Sequence, residues 1–278
     1  RGRSLSLRTR AVAITSGGFI YNRKRVKTEA PNYRKGMPLG TIGCDGSGIA
    51  LAEAVGGQTA HLERISAWRF INPPLAFAQG ILVNAKGERF INEARYGAAI
   101  GEAMVEYHGG TGILILDQAL VKSAKGQLGR GKTHWFQTAP ALLNLWFNAR
   151  KAPSIEALAK RCQMDPETLT ASVAAYNQAG DDPLGKPEAF CSQLNEPPFT
   201  AIDCSIGNKI FPLPTLTLGG LVVDEVSGQV LDKNDEPIAG LYAAGRAALG
   251  ICSRQYVSGL SIADCVFSGR RIGQTITK

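Results

Sequence analysis

The run Gly126-Gln-Leu-Gly-Arg-Gly-Lys-Thr133 has the spacing of a phosphate-binding loop: a glycine, four residues, then Gly-Lys-Thr, with the lysine placed to reach a nucleotide's phosphates. Such a loop works only where a buried strand feeds directly into it and a helix leaves it. Here the apolar run Gly112-Ile-Leu-Ile-Leu116 closes at Asp117, and residues 118–125 intervene with two lysines and no strand character. Downstream, Pro140 falls in what should be the phosphate-capping helix, where proline is costly. The run therefore reads as a basic surface loop. Metal chemistry has no better footing. The six cysteines, at 44, 162, 191, 204, 252 and 265, show no C-x-x-C and no metal-type pairing with the three histidines. They point to reduced thiols in a cytoplasmic protein.

The elements that would position any site can be read from the pattern. Residues 11–16 form a short apolar strand ending at Gly17-Gly18, where backbone can approach a ligand closely. Residues 46–57 read as a helix stopped by glycine, and residues 81–84 as a strand and turn followed by a helix through Met104. Two amphipathic helices follow, near 154–163 and from Asp165 to Gln178, the second with an aspartate N-cap and proline at its first position. Residues 219–224 and 229–232 flank Ser227-Gly228 as a hairpin, then comes a strand from Ile238 to Gly245 and a helix over about 259–275. Strands and helices alternate at both ends around a middle block of different composition, the pattern of one domain interrupted by another.

Composition narrows the partners. The 278 residues, 44% hydrophobic with 32 glycines, suit one large or two ordinary globular domains. The net charge of +8 is scattered except near Arg1–Arg10 and Arg23–Lys35, with no dense run interleaved with aromatics, so nucleic acid is not expected. The longest uncharged run, residues 134–149, is too short and too polar to span a bilayer. The chain runs from Arg1-Gly-Arg-Ser straight into the first strand, read as buried, as if entered midway.

The closing segments Gly219-Gly-Leu-Val-Val-Asp224, Pro237-Ile-Ala-Gly-Leu-Tyr-Ala-Ala-Gly245 and Ser258-Gly-Leu-Ser-Ile-Ala-Asp264 resemble the C-terminal half of the fumarate-reductase and 3-ketosteroid-dehydrogenase family of FAD enzymes. The resemblance continues through Gly87-Glu-Arg-Phe-Ile-Asn-Glu93, residues 169–177 and Ala13-Ile-Thr-Ser-Gly-Gly-Phe19, covering nearly the whole chain in one order. It implies an α/β fold in which part of a Rossmann-like FAD-binding domain, residues 1–67 and 205–278, is interrupted by an α+β substrate-binding cap, residues 68–204. It also implies that GQLGRGKT lies in the cap, away from the cofactor. By the same resemblance Ser16, Gly17, Gly18, Ser47, Gly245, Arg246, Leu260, Ser261 and Ile262 would contact FAD. Leu260 and Ser261 open a helix whose free N–H groups suit the flavin's electron-rich edge. Arg246 departs from the glutamate common after Ala-Ala-Gly, which puts that contact in question and not the fold. The G-x-G-x-x-G turn that seats a dinucleotide pyrophosphate is absent from these residues. The expectation is a C-terminal portion whose N-terminal FAD-binding half lies elsewhere.

Two branches of the family differ in chemistry. The fumarate-reducing branch clamps two carboxylates with arginine and histidine, but its His-Pro-Thr position is Asn72-Pro73-Pro74 here, and Arg95 is followed by Tyr96-Gly97. The steroid branch places Tyr-x-Ser before the flavin helix, matching Tyr256-Val257-Ser258, and a second tyrosine after Asn-Glu, matching Tyr96. In that chemistry a ketone acidifies its α C–H, a basic tyrosine takes the proton, and the neighbouring carbon gives hydride to flavin. A free tyrosine ionises near ~10, so Tyr256 needs hydrogen bonds from Ser258 or Tyr96. Trp68, Phe70, Phe77, Trp135, Phe136 and Trp146 crowd the expected cap face and favour a flat, apolar, steroid-like substrate. A fumarate-type reductase of small unsaturated acids, and a non-catalytic chain dependent on a partner half, stand as the alternatives.

Overall fold

The structure, a computed structural model, describes residues 6–277. The first five residues of the basic N-terminal stretch lie outside that range. The chain divides into two units: a first within Arg1–Arg34, Pro38–Ser66 and Thr215–Lys278, and a second of Lys35–Met37 with Ala67–Pro214. Residues 205–214, assigned from sequence to the returning half, thus fall in the second unit.

In chain order the opening segment supplies β1 (Val12–Ile14), α1 (Arg23–Glu29), β2 (Met37–Pro38), α2 (Ser47–Glu53), β3 (Thr59–Ala60) and β4 (Ile65–Ala67). The second unit holds α3 (Leu75–Gln79), β5 (Ile81–Val83), α4 (Gly97–Tyr107), β6 (Ile113–Leu116), α5 (Gln118–Gln127), α6 (Trp135–Leu143), β7 (Ala149–Ala152), α7 (Ile155–Cys162), α8 (Pro166–Gln178) and β8 (Phe199–Asp203). The return adds β9 (Pro214–Thr217), β10 (Gly220–Leu221), β11 (Gln229–Leu231), β12 (Pro237–Ala243) and α9 (Leu260–Ile276).

The first unit is built on β1 lying parallel to β12, with β11 antiparallel on the other side of β12. Expectation and structure part at β1, which was read as a buried strand. Only Ile14 is buried, and Val12 is 49% exposed. Among the described residues β1 pairs with β12 alone, so its outer edge and much of its surface are uncovered. The 219–232 turn closes as expected, with Leu231 N–H donating to Val222 O at 2.9 Å and Asp224 N–H to Gln229 O at 2.8 Å. Asp224 accepts the Ser227 N–H and hydroxyl, which holds its carboxyl below the usual range.

The second unit is an antiparallel sheet, β5-β6-β8-β7, packed against helices. All of β5 and three of the four residues of β6 are buried, because apolar side chains point to both faces and helices cover both. Helices α5, α7 and α8 start on side-chain caps that satisfy otherwise orphaned N–H groups. Asp117 accepts from Leu120 N (2.9 Å), Ser154 from Ala157 N (3.2 Å) and Asp165 from Thr168 N (2.8 Å). Leu114, Ile115, Leu158, Leu169 and Ile202 sit together in the resulting core.

Helix α4 approaches β4 so closely that a Cβ on Gly101 would overlap the Ala67 carbonyl oxygen. Gly101→Ala is therefore expected to lower stability by about 1–3 kcal/mol, despite alanine's advantage of ~1 kcal/mol over glycine in a helix. Urea unfolding monitored by circular dichroism checks this, and an unchanged or raised midpoint would refute the close-packing argument.

Candidate functional site

In the first unit the carboxyl ends of the parallel pair β1 and β12 converge on a group of glycine turns. Ala244 N–H donates to Ile14 O at 3.1 Å, which brings Ser16-Gly17-Gly18 beside Gly245-Arg246. Gly17 and Gly245 have φ of +81° and +58°, a region costly for other residues. A Cβ on Gly18 would overlap the Thr217 hydroxyl, and one on Gly48 the Ser16 hydroxyl, so α2 and the β1 turn meet backbone to side chain. Ser16 and Ser47 are both exposed at this edge, and Ser47 N–H is held by the Asp45 carboxylate at 2.9 Å. The crevice beyond the carboxyl ends of parallel strands is where open α/β sheets bind ligands.

Gly245 N–H donates to Ser268 Oγ of α9 at 2.9 Å, tying this edge to the last helix. Helix α9 begins at Gly259 (φ +88°) with no side-chain cap, and a Cβ on Gly259 would meet nothing within 4 Å. Leu260 N–H donates to the Val257 carbonyl at 3.2 Å; the positive dipole end and the first-turn N–H groups beyond it suit an electron-rich ligand. Leu260 and Ser261 are half-buried there and Ile262 is exposed. Tyr256, half-buried, and Ser258, exposed, lie in the turn just before the helix. Arg246 turns inward: its guanidinium donates to the Thr217 carbonyl. Burial pushes it below its ordinary value, against the opposing pull of Cys44, Cys265, Tyr256 and Cys252 around it. The Asp264 carboxyl is raised by burial.

The second unit contains a cavity of about 610 Å³. Trp68, Phe70, Ile71, Phe77, Phe136 and Phe211 supply most of its apolar wall. Tyr96, 43% exposed, sets its ring edge-on to Phe70 with centroids 6.1 Å apart, so it stands against the wall without lining it. Arg69 belongs to the wall yet is fully buried, with its guanidinium 4.1 Å over the Phe211 ring and two of its N–H groups donating to the Ser205 and Pro212 carbonyls at 3.5 Å. Burial pushes Arg69 down to about 10, which leaves it cationic at neutral pH. Of the aromatics singled out from sequence, Trp135 and Trp146 are not in the wall; both face outward. Sequence reasoning missed Arg69, Ile210 and Phe211, although the run Phe211-Pro-Leu-Pro214 is an apolar, proline-stiffened signal.

The loop that carries Tyr96 is held by a buried ionic cluster. Glu93 accepts Leu82 N–H of β5 at 2.8 Å, takes two hydrogen bonds from Arg89 at 3.0 and 2.9 Å, and lies 3.0 Å from Lys186 Nζ. Arg89 also pairs with Asp182. Burial works to raise the Asp182 carboxyl, but Arg89 and the Lys186 and Leu184 N–H groups outweigh it and hold it below the usual range. Lys186, lowered by burial against the pull of Glu93, donates to Gly80 O at 2.6 Å and Tyr176 Oη at 3.2 Å.

The run 126–133 comprises the last two residues of α5 and the loop that follows, so it is fed by a helix and not by a strand. Lys132 Nζ closes it by donating to Gly126 O at 2.7 Å, and Pro140 sits inside α6. ATP is expected to show no saturable binding to the chain or to Lys132→Ala by equilibrium dialysis; binding present in the first and lost in the second would restore the nucleotide reading. Among the described residues no group of histidine, cysteine and carboxylate side chains could hold a metal.

Comparison with known proteins gives these elements a context. The sequence profile of a family described as "FAD binding domain" matches residues 1–259. The 3-oxo-5-alpha-steroid 4-dehydrogenase of Comamonas testosteroni is 42% identical over 217 residues, 77% of this chain and 41% of that protein. The NADH:fumarate oxidoreductase of Klebsiella pneumoniae is 27% identical across 99% of this chain and 29% of its own. The solved 3-ketosteroid-delta4-(5alpha)-dehydrogenase of Rhodococcus jostii, in complex with 4-androstene-3,17-dione, superposes with a TM-score of 0.82 at 29% identity, covering 97% of this chain and 53% of that one. The chain thus spans about half or less of the length of the relatives it matches.

Proposed function

The chain belongs to the FAD binding domain family, and on that premise we propose that it is part of an FAD-dependent dehydrogenase that desaturates a ring of a 3-ketosteroid. The observation that carries the reading is the cavity: about 610 Å³, within the range of small-molecule sites, and walled by aromatic and branched apolar side chains. Asn72 and Pro73 line it where a dicarboxylate reductase would need a histidine. The charged residue in its wall, Arg69, is buried under the Phe211 face and turns two N–H groups to backbone carbonyls at 3.5 Å, with Nε left unpartnered. These features disfavour a site for two carboxylates.

The first unit's residues fit the flavin. Positive-φ glycines at 17 and 245 and a crowded Gly18 leave backbone at the strand ends, and α9 offers an uncapped N-terminus. Bound FAD supplies a hydride acceptor. Tyr256 is the base that takes the α-proton of the ketone and Ser258 the hydroxyl that tunes it; Tyr96, in the second unit, is the second tyrosine assigned to the chemistry. Ser16, Gly17, Gly18, Ser47, Gly245, Leu260, Ser261 and Ile262 are assigned to the cofactor. Arg246, bonded to Thr217, is assigned to supporting that edge from within. The first unit is proposed as part of the FAD-binding domain and the second as the substrate cap. A further segment or partner chain is proposed to supply the G-x-G-x-x-G turn, and the cytoplasm is the proposed compartment.

Because the cavity lies within the second unit, substrate binding can be read without the cofactor. Titrating the chain with 4-androstene-3,17-dione should quench the fluorescence of Trp68 saturably, and fumarate should neither quench nor compete. Saturable fumarate binding with no response to the steroid would overturn the assignment.

A further inference from the structure

Helix α6 and the π-helical turn that continues it, Asn144–Asn148, present an apolar face to solvent. Trp135 is 80% exposed, Phe136 57%, Leu143 42%, Trp146 62% and Phe147 70%. At the 3.6-residue period Trp135, Phe136 and Leu143 of α6 fall within an arc of about 100°, and Trp146 and Phe147 follow on the π-helical turn. Such a stripe ordinarily faces a core; here it faces outward, and its Trp-rich content makes an unusually large exposed patch. The flanking charge is one-sided. Residues 118–155 contain six basic side chains, Lys122, Lys125, Arg130, Lys132, Arg150 and Lys151, and no aspartate or glutamate. In the chain Arg130 and Lys132 stand just ahead of the face and Arg150 and Lys151 just after it, all exposed, although Lys132 Nζ donates to Gly126 O and Arg150 to Arg161 O.

We propose that this face docks the protein onto an anionic lipid bilayer, the aromatic side chains entering the headgroup boundary while the bracketing cations meet the lipid charge. Exposed Trp and Phe on one side of a helix, with cations at its flanks and no carboxylates, is the combination that favours an interfacial position. A second copy of the chain fits the face poorly, because a two-fold contact would set the same cations against each other. No helix among the described residues is long and apolar enough to cross a membrane, so the contact is peripheral. The inner side of α6, with Gln137, Pro140 and Ala141, lines the cavity, and Phe136 and Leu143 stand on the boundary, each both exposed and part of the cavity lining. Loading of an apolar substrate from the bilayer follows if the steroid reading holds; the docking itself does not depend on it.

The test is co-sedimentation of the whole chain with phosphatidylcholine vesicles and with vesicles of phosphatidylcholine and phosphatidylglycerol in equal parts, at low and high salt. Binding should favour the anionic vesicles, weaken with salt, and shift tryptophan emission to the blue. Arg130→Gln with Lys132→Gln should lower anionic partition about 25-fold, at about fivefold per cation. Trp146→Ala with Phe147→Ala should reduce binding to both compositions and remove most of the blue shift, while circular dichroism stays unchanged. The proposal is overturned if the folded chain ignores both vesicles, binds them equally regardless of salt, or binds undiminished in the aromatic variant. It is also overturned if sedimentation velocity shows a self-association that the aromatic variant abolishes.

Discussion

Tyr256→Phe, in the FAD-loaded protein, should keep flavin and steroid binding and lose about 10²–10⁴ of the desaturation rate. The substitution removes one hydroxyl from a half-buried ring in the turn before α9, so packing changes little. Loss of a proton acceptor used in the transition state falls mainly on kcat, with KM nearly unchanged. Ser258→Ala should cost less, since that hydroxyl acts through the tyrosine. Arg95→Ala separates the two chemistries. Arg95 is exposed, next to Tyr96, and a proton-donating arginine is needed only by the fumarate-type reaction. Steady-state kinetics on both substrate classes decide: fumarate reduction abolished by Arg95→Ala, with desaturation indifferent to Tyr256→Phe, would replace the steroid assignment.

Glu93→Gln should lower the stability of the second unit by about 3–5 kcal/mol. The amide is nearly isosteric, so the cost is electrostatic. Glu93 and Lys186 have fully buried side chains and Arg89 is 8% exposed, and the change leaves Arg89 with Asp182 alone and the Lys186 ammonium with only the Gly80 carbonyl and the Tyr176 hydroxyl. For comparison, Glu63→Gln removes a partner of Arg64 at 3.5 Å in a pair with side chains 60% and 46% exposed, where solvent screening leaves at most ~1 kcal/mol. The acid side has a defined sign. Asp182 is held below its ordinary value, so its contribution is present above about pH 4, the unfolded carboxylate's range, and is lost as pH falls through its folded value. Urea midpoints should therefore drop on acidification, and Asp182→Asn should flatten that drop while lowering the neutral midpoint. An E93Q midpoint within error of the parent would mean that the cluster is not what fixes the loop bearing Tyr96.

Local chemistry in the sequence foretold the elements that depend on it. Asp165 and Pro166 start α8 where capping predicts, and Gly245 and Gly17 sit at positive φ at strand ends; Pro140, read as an obstacle to a helix after the loop, instead sits inside α6. Long-range pairing was not legible. Glu93 and Lys186 stand 93 positions apart, and nothing local in either announces the other. The aromatics of α6 show the same limit. Composition placed Trp135, Phe136 and Trp146 on a cavity face, but only Phe136 lines it, because periodicity identifies an apolar stripe without saying what lies against it. Residues 205–214 look like the start of the returning half, yet Ser205, Phe211 and Pro212 enclose Arg69 in the second unit. The buried reading of β1 failed for a related reason: an apolar strand is buried only where neighbours cover it.

The central claim, that these residues serve transfer of hydride from a 3-ketosteroid to flavin, is tested most directly by anaerobic mixing of the FAD-loaded protein with a ring-saturated 3-ketosteroid. The account predicts stoichiometric bleaching of the visible flavin band, slowed about 10²–10⁴-fold in Tyr256→Phe, and recovery of the ring-desaturated ketone. An oxidised flavin unmoved by the steroid, in a protein whose chemically reduced flavin is promptly reoxidised by fumarate, would contradict it.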